Sequence, residues 1–147
     1  LQDLVESNLQ QSVYLYGYRE DVLEIMRHTD IGVVSSVDSE VICRVAVEFF
    51  SVGKPVIAFP TGALPEIIQD GVTGRIAKDK SAEALAEILE WMLESPERIS
   101  EFGKNARQQS LERFDPNKLL EQTLSVYEQS WQHLQSQLVT GEANVRP

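Results

Sequence analysis

The apolar positions of the chain follow two spacings. Short runs at 13–17 ("VYLYG"), 30–34 ("DIGVV"), 54–59 ("KPVIAF") and 73–77 ("TGRIA") are β-branched or aromatic and bounded by glycine, proline or polar residues, which predicts four strands. Between them the period changes to that of a helix. Val22, Ile25, Met26 and Thr29 share one face of a segment whose first turn carries Glu20 and Asp21, where negative charge is favourable. Residues 41–52 form a second helix closed by Gly53, and "PEIIQ" a short third one ending at the turn dipeptide Asp70-Gly71. Residues 1–10 also have helical spacing, at Leu1, Leu4, Val5 and Leu9, with no strand before them. That opening reads as the start of a fragment.

From Ser81 onward only helical periodicity remains. Ser81, Ser95 and Asp115 stand where N-caps are expected, the last two followed by proline at the first helical position, and they predict helices over 82–94, 97–112 and 117–137. Trp91, Met92 and Leu93 read as core contacts, and residues 138–147 as a flexible tail with little to bury. Strands alternating with helical segments predict an α/β fold, a Rossmann-like parallel sheet with helices on both faces, occupying 1–137 as one domain. Ligands of such sheets lie outside the carboxyl ends of the strands, so the loops after Tyr16, Val34 and Phe59 are expected to converge on a site.

Composition narrows the classes. With 147 residues, 42% of them hydrophobic, there is enough for one ordinary core. No run reaches the roughly 18 apolar residues of a spanning helix, and a cytoplasmic setting is the expectation. Cys43 is the single cysteine, so neither an internal disulfide nor a cysteine-type zinc site can be built. A formal net charge of −10 argues against nonspecific nucleic-acid binding while leaving room for a local basic pocket.

The segment "SEVICRVAVE" carries Glu40 and Glu48 with Arg44 midway. If a helix starts just after Glu40, the two glutamates stand roughly 12 Å apart along it and about 80° around its axis. They cannot work as a paired-carboxylate machine on one bond, which needs separations of about 5–10 Å. They can hold two ends of one elongated ligand, with a phosphate at the helix N-terminus and Arg44 as a forked donor between them. Each could equally be ordinary: Glu48 and Arg44 as exposed helix residues, Glu40 as a carboxylate at a favourable dipole end, Cys43 as a small buried residue, Tyr18 as a loop tyrosine.

In their order and spacing, "S-x-x-E-x7-E", "G-K-P-V-I-A" and "G-x-x-P-E-I-I-x-D-G-x-T-G" resemble the donor-binding, C-terminal half of the retaining group 1 (family 4) glycosyltransferases of the GT-B fold, over about residues 13 to 115. The resemblance implies a nucleotide-diphosphate sugar donor, no metal and no cofactor. It implies that Glu40 meets the donor sugar and is catalytic, that Glu48 binds the ribose, that backbone amides near Ile42, Cys43 and Val45 face the sugar and diphosphate, and that Gly17 and Tyr18 lie by the base. Gly62 stands in the loop where the family commonly has Gly-Gly. Val41-Ile42-Cys43 replaces a frequent Gly-Phe-Gly, and Arg44 is not given by the family pattern. The resemblance also implies a further N-terminal acceptor-binding domain, a route to peripheral membrane or lipid-linked acceptors through it, and a fragment inactive alone. An apolar face on the last helix (Leu119, Leu120, Leu124, Tyr127 and Trp131) would then meet that domain. An epimerase or phosphorylase of the same architecture, and a non-catalytic binding module, are the alternatives.

Overall fold

The computed structural model describes residues 12–38, 41 and 43–140. The expected helix over 1–10, together with Glu40 and Ile42, lies outside the described residues. The elements are α1 (Val22–Arg27), β1 (Gly32–Val34), α2 (Arg44–Ser51), β2 (Val56–Ala58), α3 (Leu64–Ile67), β3 (Gly74–Ile76), α4 (Ala82–Leu93), α5 (Pro96–Arg113) and α6 (Pro116–Thr140). The sheet has the order β1-β2-β3 and is parallel throughout, Gly32 facing Val56 and Val56 facing Gly74.

Alternation along β2 divides the core into two layers. Val56 and Ala58 join Val34, Ala46, Phe50, Leu64 and Ala106 on one face, while Ile57 packs with Met92 and Phe102, and Phe59 with Ala84, on the other. All three residues of β2 are fully buried, as expected of a parallel strand covered on both sides. The α/β arrangement with helices on both faces is therefore the one read from the pattern of the sequence.

Several punctuation residues have identifiable work. Ser81 and Ser95 accept at Oγ from the amides of Ala84 and Arg98, capping α4 and α5. Gly53 and Gly71 take positive φ, at 75° and 77°. In the "DGVTG" turn the Asp70 carboxylate accepts from Arg75 Nε and the Ile76 amide, both at 2.9 Å, and the buried Thr73 hydroxyl accepts from the Gln69 amide. Gly74 lies so close to β2 that a Cβ there would stand 1.9 Å from the Val56 carbonyl oxygen, and a Cβ on Gly103 would meet the Gly53 oxygen at 2.4 Å.

Four expectations are corrected. Residues 13–17 form no strand: Tyr14, Leu15 and Tyr16 are exposed, and without a covering layer or a ladder partner an apolar run has nothing to hold it extended in a sheet. The helix expected over 41–52 starts only at Arg44, with Cys43 as N-cap and Val41 in a bend. The last helix continues through Thr140 rather than giving way to a tail at 138, because its backbone is satisfied internally whatever its side chains bury; residues 141–147 are outside the described set. Within α4, Leu93 is 62% exposed, unlike the fully buried Met92 beside it, since consecutive helical positions point about 100° apart.

Gly74→Ala and Gly103→Ala place a methyl against main-chain oxygen that no side-chain rotation can move. Each is expected to lower stability by about 1–3 kcal/mol, read as a fall in the urea midpoint at unchanged slope.

Candidate functional site

The carboxyl ends of the three strands open onto one edge of the sheet. The loop after β1 begins at Ser35, the loop after β2 runs through Phe59, Pro60, Thr61 and Gly62, and the loop after β3 runs from Ala77 to Ser81. They are tied together. The Phe59 amide donates to the Val34 carbonyl at 3.2 Å, the Ala77 amide to the Ala58 carbonyl at 2.8 Å, and Lys80 Nζ donates to the Val37 carbonyl. Helix α2 enters at this edge, its Cys43 buried in the same core as Leu64 of α3. Its amphipathic pattern fixes its rotation: Ala46 and Phe50 are fully buried, which leaves Arg44, Val45 and Glu48 toward the outside.

Arg44 is the first residue of α2. Its guanidinium Nη2 stands 3.7 Å from Glu48 Oε1, with the arginine side chain 83% and the glutamate 35% exposed. This i,i+4 pair runs in the less favourable direction, cation toward the helix N-terminus. A cation in a first turn opposes the macrodipole at a cost of roughly 0.3–1 kcal/mol. Cys43 provides no side-chain cap, and the first turn holds no acidic residue. The amino end of α2 is thus a concentrated positive pole, formed of main-chain N–H groups and one guanidinium, suited to an anion.

Other candidates fall differently. Cys43 is 2% exposed, its side chain packed in the core. Val45 is half exposed on the first turn. Gly62 takes φ 54°, allowing the loop to turn directly into α3. Beside it Thr61 is 2% exposed, and its hydroxyl has no hydrogen-bond partner among the described residues. Gly17 has open space around its Cβ position and Tyr18 is 92% exposed, so neither is held by packing. Arg19 stays local, forked onto Asp21 at 2.8 and 2.6 Å. Glu40 and Ile42 lie outside the described residues. The structure therefore groups Cys43, Arg44, Val45, Glu48 and Gly62 around α2 and the β2–α3 loop. Lys80 was not among the sequence candidates. Its signal was the loop after the last strand, which any parallel sheet places at the same edge as the others.

The described helices include none long and apolar enough to cross a membrane. Comparison with known proteins fits the geometry. The family model for glycosyl transferases group 1 matches residues 2–109. Spore coat protein SA of Bacillus subtilis is 31% identical over 112 residues, covering 76% of this chain and 30% of that protein. Among solved structures, sucrose-phosphate synthase from Thermosynechococcus elongatus superposes with a TM-score of 0.80 at 27% identity, over 90% of this chain and 34% of that one. Anabaena HepE in complex with UDP gives 0.77 at 29% identity, over 85% and 35%. The chain thus spans about a third of the length of these proteins, and it belongs to the glycosyl transferases group 1 family.

Proposed function

We propose that this domain binds a nucleotide-diphosphate sugar, and that the protein containing it transfers the sugar to an acceptor with retention at the anomeric carbon. The observation that carries the reading is the amino end of α2, where amides that the Cys43 side chain does not cap and the Arg44 guanidinium stand one turn from the part-exposed Glu48 carboxylate. A diphosphate suits the positive pole, and a carboxylate suits ribose hydroxyls as an acceptor of two hydrogen bonds. HepE, solved with UDP and with UDP-glucose, supports a donor of this class.

In this reading the bond between the anomeric carbon and the diphosphate oxygen breaks, and the acceptor oxygen bonds to the same face of that carbon. The acceptor proton passes to the departing phosphate. Arg44 and the α2 amides balance the growing charge of the leaving diphosphate. Glu40, adjoining the sugar, is the group assigned to the reacting centre. An N-terminal acceptor-binding domain completes the cleft, and α6 is its seat: Leu120, Leu124, Tyr127 and Trp131 recur at helical spacing and are all at least half exposed.

Glu48→Ala is expected to weaken binding of the preferred nucleotide sugar by about 10- to 100-fold, the value of hydrogen bonds to a charged group. Titration calorimetry across a panel of nucleotide sugars reads this, and unchanged affinity for every donor would remove the ribose assignment. Arg44→Ala should weaken the nucleoside diphosphate by about tenfold or more and leave the bare nucleoside unaffected. Equal losses for both would move Arg44 away from the phosphates. The 147-residue chain alone should release no nucleotide from a donor and acceptor mixture. Turnover by the isolated chain would mean that the described edge forms the whole active site.

A further inference from the structure

A second concavity lies at the opposite end of the sheet, before the amino ends of β1 and β2. It is a cavity of about 560 Å³ between the β1 and β2 entry turns and one stripe of α5, where Ile99, Ser100, Gly103, Lys104 and Arg107 succeed one another at helical spacing. Asp30, Lys54 and Pro55 complete the wall. Its floor is rigid: the Gly53 amide donates to the Phe50 carbonyl at 3.0 Å, the Lys54 amide to the Phe49 carbonyl at 2.9 Å, and Arg107 Nη1 to the Ser51 carbonyl. Gly103 lets α5 rest directly on Gly53.

Three cations and one carboxylate line this cavity in a chain of net charge −10. Lys54 and Lys104 make no ion pair with any described residue, so both ammonium groups are available, and Arg107 keeps donors beyond the one engaged by Ser51. The acids Glu97 and Glu101 line an adjoining groove that also includes Lys104, and neither lines this cavity. Asp30 and the Ser100 hydroxyl on the wall are suited to ligand hydroxyl groups.

We propose that this cavity is a binding site for a small hydroxyl-bearing phosphate monoester, the phosphate held by Lys54, Lys104 and Arg107 and a hydroxyl by Asp30. The site is separate from the sheet edge assigned to the donor, and it stands or falls without that assignment.

The test is titration of the isotope-labelled protein with glycerol 3-phosphate, followed through the amide signals of Gly53, Gly103 and Lys104, beside inorganic phosphate and vesicles of phosphatidylglycerol. Glycerol 3-phosphate should shift these signals at millimolar concentration or below and bind more tightly than inorganic phosphate. The Lys54→Met/Lys104→Met pair should lower its affinity by about tenfold or more while the remaining spectrum stays that of the folded protein. Absence of shifts, or shifts that persist undiminished in the double variant, would overturn the site. Equal affinity for inorganic phosphate would overturn the hydroxyl contact at Asp30. Vesicle binding lost in the double variant, with no response to glycerol 3-phosphate, would replace the small ligand by an anionic surface.

Discussion

Strand β2 is sealed on both faces and bonded on both edges, and the placement of α2 and of the loop with Thr61 and Gly62 depends on that confinement. Its side chains alternate between two separate cores, and its neighbours are parallel strands in register. On one edge the approach is so close that only a residue without a Cβ stands opposite the Val56 carbonyl. The helix with the positive pole ends just before β2, and the loop with Thr61 and Gly62 begins just after it. Two segments proposed to face one ligand are therefore joined through a strand whose three residues are all fully buried. This is an inexpensive way to hold a binding geometry without rigid loops.

The helix starts show where stability and function diverge. α4 and α5 begin with serine caps that satisfy main-chain donors, followed by glutamate in the first turn. α2 begins on a buried cysteine and an exposed arginine, opposite to what helix electrostatics favours. α1 and α3 also start without a side-chain cap, but each has a glutamate in its first turn, so what sets α2 apart is the arginine in place of an acid at the edge proposed to hold the ligand.

Much of this was legible in the sequence because it rests on local chemistry. The runs "DIGVV", "KPVIAF" and "TGRIA" contain the three strands, and serine before alanine or proline marked the starts of α4 and α5. What was not legible depends on neighbours. "VYLYG" has strand composition, yet a strand exists only where another lies beside it, and the sequence of one segment does not say so. The start of α2 was misplaced by three residues because Val41-Ile42-Cys43 is compatible with helix, and no capping side chain marks the boundary. That displacement matters for the site: the spacing between Glu40 and Glu48 is not a continuous helical ruler, since Val41 lies in a bend before the helix begins. Lys80 could be found only by recognising that the loop after β3 shares an edge with the others.

Side chains of helix α5 reach carbonyl groups of several other segments. Arg107 donates to Ser51, Gln109 to Ile67 at 2.7 Å and Arg113 to Glu66 at 3.1 Å, so the ends of α2 and α3 are both fastened to it. Just beyond Arg113 the main-chain ladder is interrupted: Pro116 has no N–H, and Asp115 starts a separate helix by accepting from the Asn117 amide. Mechanical continuity of the sheet domain thus ends at a joint of two residues. Phe114 packs on the main core and Lys118 Nζ donates back across the joint to the Glu112 carbonyl at 3.2 Å, so the direction in which α6 leaves the sheet domain is set where these contacts meet rather than by a continuous helix.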